Sequence, residues 1–132
     1  MSVAEGTTGV FADRAAAIAY AERWADDWNR RDLAAILGHF DEAVVFTSPK
    51  ALAAVGVPTV RGKPALAEYW RIALSRIQSL RFVVQRVIWD PTTLELAIVY
   101  DRDVNGVRDR AAEILAFGAS GLVVRGEVLY GV

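Results

Sequence analysis

Apolar residues recur at Ala17, Tyr20, Ala21, Trp24 and Trp28, the spacing of one helical face, while Glu22, Arg23, Asp26, Asp27 and Arg30 take the other side. Asp13 stands where an N-cap is needed, so the pattern predicts a helix from Arg14 to about Arg31. Asp32 caps a short second helix, Leu33 to about Phe40, with a stripe of Leu33, Ile36, Leu37 and Phe40. Residues 43–48 are rich in β-branched and aromatic side chains and are stopped by Pro49, which marks a strand. Pro49, Gly56, Pro58 and Gly62 make residues 49–62 the densest run of breakers, predicting a long loop of the kind that often carries function. Pro64 suits the first turn of a third helix reaching about Ile77, with Leu66, Tyr69, Trp70, Ala73 and Leu74 periodic.

Beyond Ser79 the pattern is that of strands: Leu80–Trp89, Leu94–Asn105, Gly106–Gly118 and Leu122–Tyr130, separated by turn residues. Asn105-Gly106 is the strongest of these turn signals, typical of a two-residue type I′ hairpin. Pairing Val104 with Val107 sets Asp103 against Arg108, Arg102 against Asp109 and Asp101 against Arg110. Three opposite-charge pairs in one register, each contributing about a few tenths of a kcal/mol, select it. The same register sets Tyr100 against Ala111 and Ile98 against Glu113. One face then carries Leu94, Leu96, Ile98, Tyr100, Ala111, Glu113, Leu115 and Phe117, on which Glu113 is the one carboxyl group. A carboxyl there lines a pocket, with its charged form disfavoured and its pKa raised, or is satisfied by a structural partner.

Helices first and a meander of long strands afterwards define an α+β fold. Strands of roughly ten residues, against a usual five or six, have to curl. The expected architecture is a cone: three N-terminal helices packed on a strongly curved, mostly antiparallel sheet, with an open mouth.

Composition narrows the function classes. A chain of 132 residues fits one domain, with residues 1–12 read as a flexible leader and 13–132 as the domain. Hydrophobic residues reach 54%, an excess that suits an apolar cavity or a subunit interface. Fifteen basic and sixteen acidic residues without a basic run argue against nucleic-acid binding. No apolar stretch is long enough for a membrane span, and no signal-peptide pattern opens the chain. The absence of cysteine excludes thiolate chemistry and fits the cytoplasm, and one histidine makes a transition-metal site unexpected. No cofactor is expected.

The phrase Glu22-Arg23-Trp24-Ala25-Asp26-Asp27-Trp28-Asn29-Arg30-Arg31-Asp32-Leu33 leads to Phe40 and to Phe46-Thr47-Ser48-Pro49. Arg61-Gly62-Lys63 and the closing Gly121-Leu122-Val123-Val124 follow. Together, and over nearly the whole chain from about Tyr20, these resemble the nuclear transport factor two-like superfamily, in particular its SnoaL-like and ketosteroid-isomerase-like branch. That superfamily hosts isomerases, cyclases, dehydratases, epoxide hydrolases and non-catalytic domains, so the resemblance implies a fold and a pocket more than a reaction. In the isomerase branch a tyrosine on the first helix donates to a developing oxyanion; Trp24 matches it. An aspartate before the proline that ends the first strand shuttles the proton; Ser48 matches it. A second, protonated acid joins the oxyanion hole and Glu113 is its counterpart, while Trp70 and Tyr130 match aromatic and pocket positions. Two of three chemical positions differ, so ketosteroid isomerisation itself is not expected.

Glu113 and Ser48 are the candidate catalytic residues, and Trp24, Trp28, Tyr69, Trp70, Tyr100 and Tyr130 the candidate ligand-binding set. Large aromatics at these spacings are more often plain core, but buried indole and phenol tips want polar partners that a ligand can supply. Ser48 has only His39 as a conceivable base, and His39 is expected as a solvated helix terminus. Asp26 and Asp27 read as solvated surface, with Asp27 near enough to approach the pocket mouth. Arg102 shares the face of Tyr100 and is a candidate to meet an anionic ligand, although the hairpin charges also serve as register devices. Gln85 or Arg86 beside Glu113 would favour catalysis. Ala97, Val99, Ala112, Ile114 and Ala116 form an opposite face of small apolar residues suited to a second copy, hence a homodimer. The expected function is an apolar pocket for a small hydrophobic organic molecule, with general acid/base isomerisation, cyclisation or dehydration of a carbonyl compound. The alternative is a non-catalytic ligand-binding or dimerisation module.

Overall fold

The computed structural model describes residues 10–131. Within them the order is α1 Arg14–Asn29, α2 Leu33–Leu37, β1 Phe40–Thr47, α3 Pro49–Val55, β2 Thr59–Arg61 and α4 Lys63–Ser75, then β3 Leu80–Asp90, β4 Glu95–Val104, β5 Val107–Phe117 and β6 Val123–Tyr130. The strands form one sheet in the order β2-β1-β6-β5-β4-β3, with β1 parallel to β6 and every other neighbouring pair antiparallel. The sheet does not close: β2 and β3 are its edges. Register shifts at Gln85 in β3 and at Val124 in β6, opposite Ala116 and Phe117 of β5, are bulges, which add local twist and help long strands curl around the helices. Helix α1 is capped by the Asp13 side chain and buries Ala17, Tyr20, Ala21, Trp24, Ala25 and Trp28.

The β4–β5 hairpin forms in the register that its charges select. Val104 faces Val107 and Ile98 faces Glu113, with Asn105 at φ 53° and Gly106 at φ 82°. The ion pairs Arg108–Asp103, Arg102–Asp109 and Arg110–Asp101 close at 3.0, 2.9 and 2.7 Å. Leu96, Ile98, Tyr100, Ala111, Glu113, Leu115 and Phe117 are all buried, so the apolar face is the inner one. The Asn105 side chain also accepts from the backbone N–H groups of Gln78 and Ser79 and donates to Arg76 O, tying the hairpin tip to the α4–β3 connection.

Three expectations are corrected. Residues 49–62 are not one loop: Ser48 caps α3 through Lys50 N–H, Pro49 stands in its first turn, and Gly56 at φ 85° ends it. The breakers are helix boundaries, and β2 follows them, so four helices rather than three pack on the sheet. Phe40 does not close the second helix; it opens β1, where its backbone pairs with Val123 and its side chain is buried. Residues 1–9 of the expected leader lie outside the described residues, while Phe11 packs edge-on against Tyr20, Trp89 and Phe117. Among the described residues no helix is long and apolar enough to cross a membrane.

Candidate functional site

Between α1, α4 and the concave face lies a cavity of about 480 Å³, within the size range of small-molecule sites. Trp28, Phe46, Trp70, Phe82, Tyr100 and Val128 form its walls, and Arg76, Leu80, Val104 and Asn105 lie at its mouth. Trp70 anchors one wall, with Trp28, Phe40 and Phe46 each 5.1 Å from it and edge-on. Phe82 and Tyr100, 4.8 Å apart, make the other. A second groove of about 600 Å³ lies along β3–β5, lined by Arg81, Gln85, Asp101, Asp103, Arg108 and Arg110 among others. All of its named charges except Arg81 are engaged with one another through the hairpin ion pairs and the Gln85–Asp101 hydrogen bond, and it holds no buried acid like that of the inner cavity.

Glu113 lines that cavity and is 4% exposed. Burial pushes its pKa up to about 8; the Trp24 indole, the Tyr100 hydroxyl and the Arg102 charge pull it back but do not outweigh the loss of water. The carboxyl therefore holds its proton at neutral pH. Its Oε1 accepts from the Tyr100 hydroxyl at 3.4 Å, which leaves the acid proton to Oε2. Oε2 is buried without a hydrogen-bond partner, and so are Trp24 Nε1, Trp28 Nε1 and the Tyr20 hydroxyl. Of these four, only Glu113 and Trp28 line the cavity, so with Glu113 protonated its wall presents two proton-bearing atoms, Oε2 and Trp28 Nε1, while the Trp24 indole lies behind the wall beside the carboxyl. The same burial raises the pKa of Tyr100, Tyr20 and Tyr69, and pushes Tyr130 up to about 12, so these phenols stay neutral.

Of the sequence-predicted set, Trp28, Tyr69, Trp70, Tyr100, Tyr130 and Glu113 line the cavity together. Trp24 does not; fully buried, it stands behind the wall, its ring 4.8 Å from that of Tyr100. Ser48 is also fully buried, one layer back, linked to the Tyr69 hydroxyl at 3.3 Å and the Tyr130 hydroxyl at 3.5 Å. His39 and Asp27 do not sit in solvent as expected. His39 Nε2 is 2.8 Å from Asp27 Oδ2, and Arg30 bonds the other carboxylate oxygen at 2.6 Å, which ties α1 to the start of β1. The hydrogen bonds satisfy both side chains of this part-buried pair, which commits His39 to Asp27 and leaves Ser48 without a base. Gln85 and Arg86 stay outside the cavity, whereas Arg102 enters its lining and pairs there with Asp109. Lys50 and Arg76 at the mouth were not anticipated: the first stands on the unforeseen α3, and the second has no periodic signature. Among the described residues no group of three or more His, Cys, Asp or Glu side chains is placed to hold a metal.

Four helices packed on a curved, unclosed six-stranded sheet are the architecture of the nuclear transport factor two-like fold. The model of the SnoaL-like domain matches residues 21–126, and the chain belongs to that family. It is similar to a SnoaL-like protein of unknown function from Burkholderia thailandensis, with 30% identity, TM-score 0.78, and coverage of 91% of this chain and 98% of that one. A protein of cystatin-like fold from Methylobium petroleophilum is 25% identical, with TM-score 0.72 over 91% and 78% of the two chains. A steroid delta-isomerase from Pseudomonas aeruginosa shares the fold at 19% identity, with TM-score 0.65 over 88% and 80%. No curated protein matches the chain.

Proposed function

We propose that the protein binds a small, largely apolar carbonyl compound in the cone and acts on it by general acid chemistry from Glu113. The observation that carries this reading is the buried Oε2 of Glu113, a protonated acid with no partner on a cavity wall. A carbonyl oxygen seated there takes that proton, and the Glu113 carboxylate so formed then removes a proton from the adjacent carbon to give the enol, which is the first stage of an isomerisation, cyclisation or dehydration. Trp28, Trp70, Phe46 and Phe82 would hold the hydrocarbon body. Hydrogen–deuterium exchange at carbons next to the carbonyl of bound aryl and alicyclic ketones, followed by NMR, tests the reading. The wild type should accelerate exchange, and Glu113→Gln should abolish the acceleration while ketones still quench tryptophan fluorescence.

One observation favours the non-catalytic alternative. The position that carries the proton-shuttling aspartate in the isomerase branch is Ser48, a helix cap, and the other cavity carboxylate, Asp109, is committed to Arg102. Quenching without any exchange in the wild type would leave ligand binding as the function. The face bearing Val45, Ile114 and Ala116 supports a homodimer, as the place where a second sheet would lie.

A further inference from the structure

The mouth of the cavity differs from its interior in carrying uncompensated positive charge. Lys50 and Arg76 both line it, and none of the ion pairs among the described residues includes either. Lys50 Nζ is 4.6 Å from the centre of the Tyr130 ring and Arg102 Cζ is 4.9 Å from it, so two cations share one phenol. Asp109 answers the charge of Arg102; nothing among the described residues answers that of Lys50.

Proton counting then sets the direction of the Tyr130 hydroxyl. Ser48 Oγ has two lone pairs and one proton. The backbone N–H of Lys50 and the Tyr69 hydroxyl occupy the lone pairs, at 3.2 and 3.3 Å. The Ser48 proton is left to donate, and Tyr130 Oη is its acceptor at 3.5 Å. Tyr130 therefore keeps its own proton for the cavity it lines. It stands two residues beyond Val128, the partner of Glu113 in the β5–β6 ladder, and so about 7 Å nearer the mouth.

We infer that the mouth is a subsite for an organic anion, in which Lys50 Nζ and the Tyr130 hydroxyl hold a carboxylate or enolate oxygen of a ligand whose inner carbonyl meets Glu113. This rests on the reading of the cavity proposed above. The ligand class becomes an aromatic or alicyclic keto acid, entering carbonyl first with its acid group outward. Ser48 is a positioning residue, acting through Tyr130.

Isothermal titration calorimetry with para-benzoylbenzoate and its methyl ester tests the subsite, because the two share a diaryl ketone and differ in charge. The wild type should bind the carboxylate about tenfold more tightly at low salt, as a charge-assisted contact at a partly exposed site allows. Added salt should erode the preference. Lys50→Gln should remove most of it while the ester's affinity stays unchanged. Ser48→Ala should weaken the acid alone, and Ser48→Thr should restore it. Equal affinities in the wild type, or a preference that survives Lys50→Gln, would overturn the subsite and leave the cavity reading standing. Acid and ester weakened together by Ser48→Ala would reduce Ser48 to a helix cap and overturn its positioning role. Failure of both probes to bind would overturn the cavity reading, and the subsite with it.

Discussion

Glu113→Gln should make the protein's stability less dependent on pH. Burial raises the pKa of the carboxyl in the folded cone to about 8, and in the unfolded chain it stays close to the 4.5 of a free glutamate. Below about 4.5 the acid is protonated in both states and its titration contributes nothing. Between the two values the unfolded chain releases a proton that the folded protein retains, so the unfolded state binds fewer protons and stability falls as pH rises. Above about 8 both states are ionised and the loss levels off. A gap of about 3.5 pH units (8 − 4.5), at about 1.4 kcal/mol each, sets a ceiling of about 5 kcal/mol, a large part of the total stability of a small domain. Glutamine keeps the shape and the acceptor for Tyr100, and it does not ionise. Urea denaturation at a series of pH values compares the two proteins, and because every other ionisable group is common to both, the difference curve belongs to Glu113. The wild type should lose ground to the variant steadily from about pH 5 to about pH 8 and then hold a constant deficit. Parallel curves across that interval would mean that the carboxyl ionises in water like any surface glutamate, and the acid chemistry proposed for it would fall.

Trp70→Ala removes a ring packed on three other aromatics and should cost about 3–5 kcal/mol, read as a lower urea midpoint. Gly126→Ala places a Cβ 2.6 Å from the Phe46 ring, itself fully in the core, and should cost about 1–3 kcal/mol by overpacking; an unchanged midpoint would show that the ring can yield. Sedimentation should give a dimer for the wild type and a monomer for Ile114→Glu, and a wild-type monomer at micromolar concentration would remove the assembly.

The parts of this fold that could be read from the chain are those whose determinants are local. The hairpin is one: Asn105-Gly106 sets the turn, three charge pairs set the register, and the position of Glu113 on the inner face follows. Helix α1 is another, since Asp13 and the spacing of Tyr20, Trp24 and Trp28 lie within one segment. Helix α3 was hidden by the same residues that bound it, because Pro49 and Gly56 interrupt a loop as readily as they start and stop a short helix. With α3 went Lys50 and the role of Ser48 as a cap. The Asp27–His39 pair depends on the tight connection from α1 to α2, where Arg31 takes φ 54°, and no periodicity encodes that geometry. The helical spacing puts Trp24 on the inner face of α1, but its depth behind the cavity wall depends on what Phe82 and Tyr100 place in front of it, which no spacing encodes.

The two positions at which this chain departs from the isomerase pattern have related chemical consequences. At the position that the resemblance gives to the isomerase aspartate, serine offers no carboxylate base and instead links the hydroxyls of Tyr69 and Tyr130 from behind the cavity wall. With tryptophan on α1, a donor that could also accept becomes one that only donates, beside the acid. Both differences act from behind the wall, through the carboxyl of Glu113 and the hydroxyls of Tyr69 and Tyr130, and neither supplies a carboxylate. A substrate that must surrender a proton to a fixed base has no partner here except Glu113 itself, and Glu113 accepts one only after giving its own away. The acid chemistry proposed for Glu113 would thereby be confined to reactions in which one carboxyl first protonates an oxygen and then, as the carboxylate, removes a proton within reach of the same side chain. Dehydration of a β-hydroxy ketone and enolisation of a 1,3-dicarbonyl meet that condition; transfer of a proton between widely separated carbons does not.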